Sequence, residues 1–151
     1  MGNPYKLGLM SPENAIALVG PHEENIKRIA KQTGATVVLR GSELSIAGTD
    51  TQVTRVRKIV ETLEPTWSQG QAIAITDVLT AIHALDTHRE DELQAIQKDV
   101  VAKTRRGQVI RAKTFRQQQY INALRTSDLT FCTGPAGTGK TFLAAMVAVK
   151  A

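Results

Sequence analysis

Residues 129–151 read LTFCTGPAGTGKTFLAAMVAVKA, and the order of residue types in them decides how the chain is understood. Gly134-Pro135-Ala136-Gly137-Thr138-Gly139-Lys140-Thr141 satisfies G-x-x-x-x-G-K-[ST] at every fixed position. Glycines at these places let backbone N–H groups turn inward around a phosphate chain, and a following helix adds its positive end. Lys140 is placed to reach the outer phosphates, and the Thr141 hydroxyl to bind Mg²⁺. The flanks fit that reading. DLTFCT before the loop is expected to form a buried strand, with Cys132 as a small buried residue in it, and FLAAMVAVKA after it an alanine-rich helix.

Working back from the loop, the first half of the chain reads as a compact α+β unit. AIALVG (15–20) is a short apolar run ended by glycine, expected as a buried strand. PHEENIKRIAKQTG (21–34) carries helix signals: Pro21 first, Glu23 and Glu24 near the positive end, Lys27, Arg28 and Lys31 towards the other, and Gly34 as the stop. ATVVLR and ELSIAG flank Gly41-Ser42, a two-residue hairpin turn, with Leu44 and Ile46 alternating against Glu43 and Ser45. Thr49 and Gln52 make a capping-box pattern ahead of Val53, Val56, Val60 and Leu63, one face of a helix that closes near Pro65. The expected order is β-α-β-β-α.

EPTWSQGQ (64–71) has the composition of a boundary, so the expected domains are 1–66, a helical connector over 67–112, and 113–151 as the start of an α/β nucleotide-binding domain. Within the connector, helices are expected at 76–86 and 89–102, then a short GQVIRA strand; a third helix, 115–125, carries Tyr120, Ile121 and Leu124 on its apolar side.

The net charge is +5 and the surplus is local: Lys98, Lys103, Arg105, Arg106, Arg111, Lys113 and Arg116 face a single Asp99 within 98–116. That run is either a solvated basic face or a surface for a polyanion. One cysteine rules out an internal disulfide framework and fits a reducing compartment. His22, His83 and His88 complete no metal-ligand pattern. No apolar run of membrane-spanning length and no signal-peptide core occurs, so the expected location is cytoplasmic, without membrane partners.

GPAGTGKTFLA, with KTFRQQQYINAL upstream, resembles the PhoH family of P-loop ATPases. The carrying positions before the loop are Lys113, Thr114, Gln117 and Tyr120; Ala112 stands where that family often has proline. The resemblance implies ATP and Mg²⁺ as ligands and Gln117 as a reader of the adenine edge, for which a side-chain amide offers donor and acceptor side by side. The reading of Gln117 from its own helix alone is a solvent-facing residue in a glutamine triplet. VGPHEENIKRI resembles the KH signature I-G-x-x-G-x-x-I, whose backbone clamps single-stranded RNA. Glu23 stands at the second glycine, where a carboxylate repels phosphate.

The resemblance implies an ATPase acting on RNA as a candidate substrate, with homo-oligomer formation open to the intact parent. The acidic Mg²⁺ ligand of such an enzyme follows the loop on a later strand. Ten residues follow Thr141, so the expectation is the N-terminal portion of a longer protein, with no catalytic residue of its own and weak nucleotide binding. The alternative is a KH-like nucleic-acid-binding module with a basic tail and no catalysis.

Overall fold

The computed structural model describes residues 3–135, 137 and 139–150, the Lys150 side chain excepted. They form an α+β structure with two small antiparallel sheets and seven α-helices, and the chain divides after Glu90 into two compact units.

The first unit opens with β1 (Tyr5–Gly8), then α1 (Pro12–Val19), a 3₁₀ turn (Pro21–Glu23), α2 (Glu24–Thr33), β2 (Thr36–Arg40), β3 (Glu43–Ala47), α3 (Asp50–Trp67) and α4 (Ile75–Asp86). The sheet order is β1-β3-β2, with both pairings antiparallel. The expected β-α-β-β-α order is therefore corrected to β-α-α-β-β-α, followed by α4. Residues 15–20 are not a strand. The Ser11 hydroxyl accepts from Asn14 N–H at 3.2 Å, Pro12 occupies the first turn, and Gly20 caps the other end, so the apolar run winds into α1. A continuous apolar run suits a buried helix or a buried strand equally; here the caps decide. The strand lies earlier, where Tyr5 pairs with Ile46 and Leu7 with Leu44.

The hairpin and α3 form as their local signals predict. Gly41 takes φ +64° in the turn that sets Arg40 opposite Glu43, and Leu44 and Ile46 are fully buried. Gln52 N–H donates to Thr49 Oγ1 at 3.3 Å while Thr49 N–H donates to Gln52 Oε1 at 2.9 Å, completing the capping box. Val56, Ile59, Val60 and Leu63 line the buried face. The helix continues past Pro65 because the buried Trp67 anchors its last turn, donating from Nε1 to the Val60 carbonyl at 2.9 Å.

Between α1 and α2 the chain turns through His22 (φ 53°) and Glu23 (φ 59°), two consecutive non-glycine residues in the left-handed region. That conformation is costly for a residue with a Cβ and is held here by its surroundings. Below it, Asn25 is fully buried and donates to the carbonyls of Leu18 (2.9 Å) and Ile73 (2.7 Å), tying α1, α2 and the approach to α4 together.

The second unit contains α5 (Glu90–Lys98) from its second residue on, the hairpin of β4 (Ala102–Lys103) and β5 (Val109–Ile110), α6 (Phe115–Thr126) and α7 (Lys140–Lys150). Ile96, Val101, Ala112, Ile121 and Leu143 form its core, flanked by Phe115, Tyr120, Met146 and Val147. The helix expected to reach 102 ends at Lys98, and Ala102–Lys103 pairs instead with Val109–Ile110. The strand expected before the glycine loop does not form among the described residues. Leu129 and Phe131 are 72% and 86% exposed, and Cys132 is exposed rather than buried. A strand is stable only with a ladder partner, and the sole strands of this unit among the described residues, β4 and β5, pair with each other.

Candidate functional site

The glycine-rich loop leads into α7, whose first residue is Lys140. Gly137 and Gly139 both take φ +80°, a region that L side chains rarely enter. A Cβ built on Gly137 meets no atom within 4 Å, so the loop stands open at that point. Leu143 N–H donates to the Gly139 carbonyl at 2.9 Å and its side chain is buried, which fixes the loop's exit to the core of the second unit.

Lys140 folds back over the loop. Its Nζ donates to the carbonyls of Gly134 at 2.8 Å and Pro135 at 2.7 Å, so a positive charge is held at the mouth by neutral acceptors. Thr141 lies exposed on the first turn of α7. Ala136 and Thr138, the remaining loop positions singled out from the sequence, fall outside the described residues.

Gln117 comes to the same place from α6. Thr114 caps that helix by accepting from Gln117 N–H at 3.1 Å, and Gln117 Oε1 accepts from Lys113 N–H at 2.7 Å. Its Nε2 is then 3.6 Å from the position a Cβ would occupy on Gly139. The side chain thus has a local structural duty and still borders the loop, a placement that spacing alone did not give.

Sequence reasoning counted Tyr120 as apolar and missed its hydroxyl, which donates to the Lys140 carbonyl at 3.1 Å and ties α6 to the first turn of α7. A half-buried tyrosine needs a partner for its hydroxyl, which was the available signal. Burial, then the neighbouring Cys132 thiol, push the Tyr120 phenol above its ordinary value, so it stays a neutral donor throughout the physiological range. Asp99, the single acid of the basic run, accepts from Gln118 Nε2 and Arg125 NH1, both at 2.7 Å.

Three residues of the basic run are presented by the β4–β5 hairpin. Thr104 N–H donates to the Gln108 carbonyl at 2.8 Å and Gly107 N–H to the Thr104 carbonyl at 2.9 Å, closing a tight turn with Lys103, Arg105 and Arg106 exposed. Among the described residues no group of three or more His, Cys, Asp and Glu side chains could hold a metal ion, and no helix is long and apolar enough to cross a membrane.

The loop and everything after Gln108 coincide with a family match: residues 109–151 fit the model of the family described as PhoH-like protein. The PhoH-like protein of Synechocystis sp. is 56% identical over 145 residues, covering 96% of this chain and 44% of that protein. Those of Bacillus subtilis and Mycobacterium tuberculosis are each 30% identical, over 143 and 141 residues, covering 95% and 93% of this chain and 45% and 40% of their own lengths. The chain thus spans less than half the length of these curated relatives. No solved structure matches it.

Proposed function

We propose that this chain, a member of the PhoH-like family, binds the phosphate chain of ATP with Mg²⁺ in the loop from Gly134 to Thr141. The observation that carries the reading is the convergence of three groups: the Lys140 ammonium at the loop mouth, the Gln117 amide beside Gly139, and the start of α7. In this reading the backbone N–H groups of Gly134, Gly137 and Gly139 face the phosphates. Lys140 leaves the Gly134 and Pro135 carbonyls for phosphate oxygens, and Thr141 holds Mg²⁺. Gln117 offers its amide to the adenine edge. We propose ATP hydrolysis as the activity of the whole protein, with nucleotide binding as the part that the described residues supply. A reducing, cytoplasmic setting suits the single exposed thiol.

The adenine contact has its own test. Gln117→Ala is expected to weaken ATP binding about tenfold by calorimetry, the scale of one lost hydrogen-bonding partner in a site built for it. It should leave inorganic tripolyphosphate binding within about twofold. Equal losses for both ligands would assign Gln117 to capping α6 and remove it from adenine recognition.

A second reading, contact with RNA, is favoured by the hairpin that exposes Lys103, Arg105 and Arg106 on a tight turn. The first unit, read as KH-like, would contribute little through its Gly20–Glu23 loop, since Glu23 and Glu24 repel phosphate. Reversing Arg105 and Arg106 to Glu is expected to lower affinity for single-stranded RNA and flatten its salt dependence by about 1.4 in the log–log slope, two lost phosphate contacts. An unchanged slope would withdraw the hairpin from the interface.

A further inference from the structure

The first unit carries a cleft that none of these roles uses. It lies where the start of β1 meets the first two turns of α3, has a volume of about 580 Å³, and is floored by Ile46 and Val53. That is the size of a small-ligand site. Its wall is a stacked pair: the Arg57 guanidinium sits over the Tyr5 ring at 4.8 Å from the centroid, with Tyr5 36% exposed. Asp50 lines it as well.

We propose that this cleft takes a nucleobase, stacked on the Tyr5–Arg57 platform. The proposal deepens the RNA reading and rests on it for the polymer, but uses residues distant in sequence from the basic hairpin. Three features select a base over other ligands. A planar cation already stacked on an aromatic ring extends readily to a third planar group, because every base has a π-face.

The guanidinium is also incompletely satisfied. Its contact with Glu61 is 3.6 Å, and its Nε is buried with no acceptor, so a small rotation towards a base or ribose oxygen gains a bond. Finally, the Asp50 carboxylate in the lining disfavours a phosphate inside the cleft and can accept from an exocyclic amine. The preferred bases are therefore those carrying amines, adenine, cytosine or guanine, over uracil.

The test uses the full chain with 12-mers of oligo(A), oligo(C) and oligo(U), with AMP and CMP as free-nucleotide arms. Binding is read by fluorescence anisotropy for the oligomers and by NMR shifts of the Tyr5 and Arg57 side chains for the nucleotides. Tyr5→Ala and Arg57→Gln are each expected to weaken oligo(A) and oligo(C) binding about tenfold or more, with oligo(U) weaker from the start. Arg57→Gln is exposed enough to keep the fold, which an unchanged melting curve verifies, so it carries the conclusion if Tyr5→Ala unfolds. Nucleotide-induced shifts at Tyr5 and Arg57 without oligomer binding would support the cleft as a site for free nucleotides. Oligomer binding that responds to Arg105 and Arg106 but not to Tyr5 or Arg57 would overturn the cleft and leave the RNA reading standing. Absence of both oligomer binding and nucleotide shifts would overturn the proposal outright.

Discussion

Replacing Asn25 with Ala is expected to destabilise the first unit by about 3 kcal/mol, more than any exposed substitution in it. Asn25 is fully buried, and its Nδ2 serves two carbonyls, Leu18 O at 2.9 Å and Ile73 O at 2.7 Å. Removing the amide leaves both acceptors buried and unpaired, at about 1–3 kcal/mol each, partly offset by relaxation. Volume is not the issue: Asn25→Leu fills the space and should be as damaging. Asn25→Asp should be worse, because it sets a carboxylate against two carbonyls. The side chain is held tightly in place, since a Cβ built on Gly20 would come within 2.7 Å of Nδ2. Urea unfolding followed by Trp67, the single tryptophan, buried in the same unit, should show the midpoint falling by about 2 M for m near 1.5 kcal/mol/M. A loss below about 1 kcal/mol would mean that the two carbonyls find other donors.

The same residue shows where sequence reading stops. The α2 and α3 helices were legible because their signals are local: Gly34 in the left-handed stop, Thr49 and Gln52 in one box, valines three and four apart. The Asn25 bond to Ile73 spans 48 residues, and no window contains it. Strands failed for the same reason. β1 offers four residues, YKLG, with no clean alternation, and exists because β3 provides its ladder. DLTFCT has better strand composition and no ladder partner among the described residues, so it stays irregular and largely exposed. The run 15–20 forms a helix and not the expected strand because an apolar stretch says that it is buried and not how; Ser11 and Pro12, just upstream, decide it. The candidate site was legible in its fixed pattern, which is a backbone requirement written in glycines. The packing of Tyr120 and Gln117 against it was not, since that depends on how α6 lies along α7.

The loop itself is put to the test by Lys140→Ala, which is expected to lower ATP affinity by about 100-fold while leaving the melting temperature within about 1 °C. The two effects separate because of where the lysine stands. Its ammonium donates to the Gly134 and Pro135 carbonyls at the loop surface, and the side chain is no part of the buried cluster around Leu143. Surface contacts of that kind contribute little to folding. Bound phosphate changes the balance. A unit charge about 4 Å from another interacts by about 4 kcal/mol at an effective dielectric of 20, and screening at an open loop removes part of it. What survives, about 2.7 kcal/mol, is the 100-fold expected. Lys140→Arg keeps the charge but exchanges a compact ammonium for a planar fork, so it should recover only part of the affinity. High salt should narrow the gap between the native chain and Lys140→Ala, since the difference is electrostatic. Calorimetry with ATP and Mg²⁺ decides the matter: an affinity unchanged within threefold in Lys140→Ala would mean that the ammonium belongs to its own loop carbonyls and meets no phosphate.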